Sequence, residues 1–195
     1  MKAYFKYFRW LFLIVLVLAA AYVGVYFLHN AVDGGAERGN RQAPTQRVYD
    51  FADKLTDEEE SKLEALIAER EAQIRCDLVL VTLDEPILSY GGYEDWDNTN
   101  ANWNASMRSY ADDFYDDNNF GYDKVHGDGA LLLDNWYQVG AADSQAGTWL
   151  STCGRVYEHY TTAMVNRVLD DVEDNVDSSP YRAYKTYVEN VYRDM

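Results

Sequence analysis

The chain has 195 residues, with 17 Lys and Arg against 33 Asp and Glu, a formal charge of −16, three Pro and two Cys. That balance excludes a nucleic-acid binder, which needs a cationic surface to neutralise phosphates. A content of 48% apolar and 15% aromatic residues excludes a disordered acidic chain. Two cysteines are too few for a disulfide-built miniprotein or a four-thiolate zinc site, which leaves one folded acidic domain and its flanks.

Trp10 to Leu28 is a run of 19 residues free of charge, Pro and Asn. As a helix it spans roughly 28 Å, close to the hydrocarbon core of a bilayer. Lys2, Lys6 and Arg9 precede it. Residues 1–9 therefore read as a cytoplasmic end, 10–28 as a transmembrane helix that ties the chain to the membrane, and the remainder as extracytoplasmic. A cleaved signal peptide is the alternative, since Ala19-Ala20-Ala21 offers small residues at cleavage spacing, although the apolar run continues past them. Beyond residue 28, 14 basic residues stand against 33 acidic ones. Such a surface repels anionic headgroups and attracts cations.

Residues 29–46 are Gly-, Ala- and polar-rich without periodicity and read as a linker, placing the folded domain at 47–195. Val48, Tyr49 and Phe51 form a short apolar lead-in. Thr56 and Glu59 make a capping box, and Leu63, Leu66, Ile67 and Ile74 follow at helical spacing, predicting a helix over 56–74. Asp77 to Leu83 suits a strand buried on both faces. After a polar insertion at 84–104, Met107, Tyr110, Ala111 and Phe114 predict a helix near 105–117. Gly127-Asp128-Gly129 leads into a second buried strand at Ala130-Leu131-Leu132-Leu133, and Thr148 to Thr152 is a third, returning antiparallel because the loop before it has no helix of its own. Two apolar stripes, Met164 to Val176 and Tyr181 to Tyr192, predict closing helices, the second opening at Pro180. The expected fold is α/β, a three-layer α/β/α sandwich around a small mixed sheet.

Five segments in this order carry a family resemblance: Val48-Tyr49-Asp50-Phe51-Ala52-Asp53-Lys54-Leu55-Thr56, Cys76 to Thr82, Tyr110 to Asp116, Gly127 to Leu133, and Trp149-Leu150-Ser151-Thr152-Cys153-Gly154. Over about residues 47–192 the chain resembles the TPM-domain family, which includes bacterial membrane-anchored proteins and a thylakoid lumen acid phosphatase of plants. The resemblance implies a compact α/β/α domain on the far side of a membrane, with divalent cations bound in some members. It also implies phosphatase activity in some relatives and accessory roles beside membrane proteins in others.

The best site candidate is acidic. Asp112, Asp113, Asp116 and Asp117 crowd one predicted helix end, and Asp128 stands before the next strand. Asp112 and Asp116, four apart, share a face, and a hard cation would relieve their repulsion. With Asp50 as the contributor from elsewhere, the expected ligand set is Asp50, Asp112, Asp113, Asp116 and Asp128, for Ca²⁺ or Mg²⁺ in preference to zinc. The alternative is a solvated acidic face. Asp116-x-Asn118-x-x-Gly121 begins like a Ca²⁺ loop, but Phe120 and the missing closing Glu argue against an EF-hand. Cys76 and Cys153 fall at one end of the predicted sheet and are expected to form a disulfide, two buried thiols being the alternative. No nucleophile elbow or phosphate-binding loop is present, and His126 and His159 lack partners at ligand spacing. The expectation is thus a membrane-anchored, cation-binding module that meets an envelope or membrane protein. The alternative is a metal-dependent phosphomonoesterase.

Overall fold

Thr56 starts the first helix as its capping box demands. Its hydroxyl accepts from Glu59 N at 3.3 Å, the Glu59 carboxylate accepts from Thr56 N at 3.0 Å, and α1 runs Asp57–Ile74. The computed structural model describes residues 38–92, 100–138 and 144–195. The apolar run 10–28, the expected cytoplasmic end and the first half of the expected linker lie outside those residues, as does part of the 84–104 insertion. Among the described residues no helix is long and apolar enough to cross a membrane.

Four strands form one mixed sheet in the order β1 (Val48–Asp50), β2 (Asp77–Leu83), β3 (Gly129–Asn135), β4 (Gly147–Cys153). The first three are parallel, and β4 returns antiparallel against β3, as the loop composition led us to expect. Every residue of β2 and β3 is buried, which explains their continuous apolar reading. Alternation splits the core in two. Leu78, Leu80, Ala130, Leu132 and Leu150 face α1, α4 (Thr162–Val176) and α5 (Pro180–Asp194). Val79, Val81, Leu83, Leu131 and Leu133 face α2 (Asn100–Asp117). Helices on both faces of the sheet make the expected three layers. A short α3 (Gly154–His159) follows β4 directly, and a 3₁₀ turn spans Ile87–Ser89.

Residues from Arg38 onward group with the folded unit. Asn40 donates to the Asn119 and Gly121 carbonyls at 2.7 and 2.8 Å, and Arg38 Nη2 lies 2.6 Å from Asp77 Oδ2. Arg47 Nε reaches Glu71 Oε1 at 2.6 Å and its Nη2 lies 3.5 Å from Asp77 Oδ1. Two arginines and two carboxylates thus join the leading segment, β1, α1 and β2 at the amino end of the sheet. Polar side chains, not apolar periodicity, make residues 38–46 part of the domain.

The expected Cys76–Cys153 disulfide does not form; both are free thiols. Cys153 registers with Gly129 and Gly129 with Asp77, so Cys153 shares a sheet face with Asp77. Cys76, one residue earlier, points to the other face and packs in the opposite core cluster. The two cysteines share an end of the sheet but not a side of it.

Candidate functional site

A polar row crosses the sheet where the parallel strands end. Asp50 registers with Thr82, Thr82 with Asp134 and Asp134 with Thr148, one step beyond the apolar row Val48, Leu80, Leu132 and Leu150. Carboxyl ends of parallel strands are where open α/β sheets place ligands. Thr82 donates its hydroxyl to Asp50, whose second oxygen accepts from Leu55 N at 2.7 Å. Tyr184 donates to Asp134 Oδ2 at 2.6 Å while accepting from Trp136 Nε1 at 3.2 Å. Thr148 donates to Glu173 Oε1 at 3.0 Å. Lys54 lies over the Trp136 ring, 4.6 Å from its centre.

Beside Asp134 opens a cleft of about 340 Å³, lined by Asn135, Trp136, Gly147, Thr148, Glu173, Val176 and Asp177 among others. Three of its lining residues are acidic and none is basic. Asp134 is only 3% exposed. Burial pushes its carboxyl up to about 6, the charges of Glu173 and Asp177 add to the shift, and the Tyr184 and Trp136 hydrogen bonds oppose it. The cleft therefore combines a buried acid that keeps its proton up to about pH 6 with two exposed acids, and favours positively charged occupants.

The five aspartates expected to share a cation are not brought together. Asp50 ends β1 at the carboxyl edge, whereas Asp128 precedes β3 at the amino edge. A strand of that length separates them by about 20 Å. Asp128 pairs with Arg155 Nε at 2.6 Å and also accepts from Arg155 N. On α2, Asp112 accepts from Ser151 and lies 3.4 Å from Arg108. Asp113 accepts from the Tyr90 hydroxyl at 2.7 Å, and Asp116 lies 3.8 Å from His126. Among the described residues no three carboxylate, imidazole or thiol groups are arranged to hold a metal ion. The expected set does not fit one cation; the cleft has hard oxygen donors of the right chemistry but not a closed cage. Asp134, Thr148, Glu173, Asp177 and Tyr184 were not legible as site residues. The available signal was a polar residue within the last two positions of each parallel strand: Asp50, Thr82 and Asp134.

The architecture defines a small α/β/α domain with an acidic cleft at the carboxyl ends of its parallel strands. The TPM domain matches residues 48–192, and the chain belongs to the TPM-domain family. Two solved structures are similar to it. One is the solution NMR structure of the N-terminal domain of a P. gingivalis protein, 15% identical over 77% of this chain and 82% of that one, with a TM-score of 0.48. The other is that of the N-terminal domain of the cg2496 protein from Corynebacterium glutamicum, 10% identical over 76% of this chain and 78% of that one, with a TM-score of 0.46. No curated protein matches the sequence.

Proposed function

We propose that this TPM domain is an extracytoplasmic module, tethered to the membrane through residues 10–28, that takes a divalent cation and serves as an accessory partner of an envelope protein. The observation that supports the cation reading is the cleft, whose lining holds Asp134, Glu173 and Asp177 and no basic residue, a charge that attracts a cation although no three such groups among the described residues form a ready cage. Oxygen donors of this kind suit Ca²⁺, with Mg²⁺ as the alternative. The ligand set moves accordingly from the α2 aspartates to the carboxyl edge of the sheet. Tethering is supported by the uncharged run and the basic residues before it.

Thermal unfolding tests the reading directly. A cation bound only by the native state at about a hundred times its Kd stabilises by roughly 2.7 kcal/mol, a rise in Tm of about 5 °C or more for a domain of this size. Millimolar Ca²⁺ is expected to produce that rise over chelator in the full chain, and Glu173→Gln with Asp177→Asn to remove most of it. Identical melting with Ca²⁺, Mg²⁺ and chelator would sink the cation reading. Cation-dependent turnover of a generic phosphomonoester, lost in the same double variant, would move the assignment to a phosphatase.

A further inference from the structure

The face opposite the acidic cleft carries a continuous strip of aromatic rings. Tyr90 packs on Tyr110 at 5.0 Å between ring centres, Tyr110 stacks on Phe114 at 6.2 Å, and Phe114 meets Tyr49 at 5.0 Å and Phe51 at 6.3 Å. The strip runs from the 3₁₀ turn, along α2, to the end of edge strand β1. Its two ends are exposed: Phe51 is 58% and Tyr90 45% accessible, two of the three large apolar or aromatic side chains that stand out among the described residues. Core packing explains the inner rings, since Tyr49, Tyr110 and Phe114 lean on the α2-side cluster. It does not explain why the rings continue into solvent at both ends.

The border of the strip is acidic. Tyr90 donates its hydroxyl to Asp113 at 2.7 Å. That hydrogen bond, slight burial and the charges of Asp113 and Asp117 push the Tyr90 phenol up to about 12. Burial raises Tyr110, and the charge of Glu85 raises it further. Ring faces and carboxylates are both electron-rich, and their shared complement is a cation on an apolar stem, such as the guanidinium of Arg or the ammonium of Lys. An anionic lipid surface would be repelled by the same border.

We propose that the strip from Tyr90 to Phe51 docks a basic, aliphatic segment of a partner protein, with Arg or Lys side chains laid over the rings toward Asp113, Asp117 and Glu85, and Leu-like side chains between them. This surface is separate from the cleft, so the inference rests on the accessory-partner reading and is independent of the cation reading.

The test uses the full chain in a non-ionic detergent and, as probe, a synthetic peptide of Leu-Leu-Arg-Arg repeats. A peptide of Ser-Ser-Arg-Arg repeats has the same charge without the aliphatic groups. The first is expected to bind at least about tenfold more tightly than the second, and Phe51→Ser and Tyr90→Ser are each expected to remove about tenfold of that affinity. Both positions are exposed, so the fold is kept. Asp170→Asn, exposed on α4 and outside the cleft lining, is expected to leave peptide binding unchanged. Equal binding of the two peptides, no binding of either, or wild-type affinity in both strip variants overturns the proposal.

Discussion

Arg47→Met is expected to destabilise the domain by about 3–5 kcal/mol, lowering Tm by roughly 10 °C. Arg47 is 4% exposed, and Met fills a similar volume, so cavity formation contributes little. What is lost is charge. Glu71 is 6% exposed and Asp77 fully buried. With Arg47 gone, the two carboxylates face only Arg38, whose nearest oxygens are Asp77 Oδ2 at 2.6 Å and Glu71 Oε2 at 3.7 Å. Asp77 Oδ1 already lacks a hydrogen-bond partner and has the Arg47 charge at 3.5 Å as its compensation. Removing one member of a buried ion cluster costs more than the cluster contributes, because the remaining charges stay desolvated.

Neutralising the residue left behind separates this account from simple misfolding. Burial pushes Glu71 up to about 7 against the pull of Arg47, so without Arg47 its carboxyl takes up a proton still more readily. The deficit of Arg47→Met should therefore stay level up to about pH 7, where Glu71 is protonated in both folded proteins, and widen above it, where only the wild type ionises Glu71 at little cost. Adding Glu71→Gln, which keeps an oxygen for the Leu78 N–H that Glu71 now accepts at 2.8 Å, should recover about 1–3 kcal/mol. Chemical denaturation of the single and double variants at two pH values measures all of this. A loss below about 1 kcal/mol for Arg47→Met, or no recovery in the double variant, would show that the cluster carries no such weight.

How far the sequence could be read follows from the kind of signal each part carries. α1, β2, β3, β4, α4 and α5 announce themselves through capping and apolar period, because burial on one face or two dictates residue type over at least seven positions. β1 and α3 are too short for a period to emerge. Residues 38–46 look like linker because hydrogen bonds and ion pairs hold them, and such partners are distant in sequence: Arg38 meets Asp77, and Asn40 meets Gly121. The same limit governs the site. Asp112, Asp113 and Asp116 are adjacent in the chain, yet each is aimed at a different neighbour. Asp134 reads as the first residue of a loop, and only strand register sets it in one row with Asp50 and Thr82. Both cysteines were placed at the correct end of the sheet, but a single residue of register parity decided the side.

Asp134→Asn is expected to make the domain more stable than the wild type at neutral pH while leaving it unchanged in acid. The Asp134 carboxyl rises from an ordinary 3.8 to about 6 in the folded protein. Below about pH 3.8 it is protonated in both states and the fold gains fully from the neutral acid. As pH rises toward about 6, the unfolded chain releases its proton while the native state retains it, so stability falls. Above about 6 the loss is complete, at roughly 3 kcal/mol. Asn is neutral throughout and still offers an oxygen to the Tyr184 hydroxyl, so its curve lacks this descent. The variant should match the wild type near pH 3.5 and exceed it by about 2–3 kcal/mol near pH 7.5. A cation in the cleft reverses the logic, because positive charge beside Asp134 favours its ionised form and lowers its pKa. Adding Ca²⁺ should then narrow the gap at neutral pH and move the wild-type descent to lower pH, whereas in Asp134→Asn the pH profile should barely respond. Parallel stability curves for the two proteins from pH 3.5 to 7.5 would mean that Asp134 is ionised in the fold at ordinary acidity, and that the cleft is more polar than its burial implies.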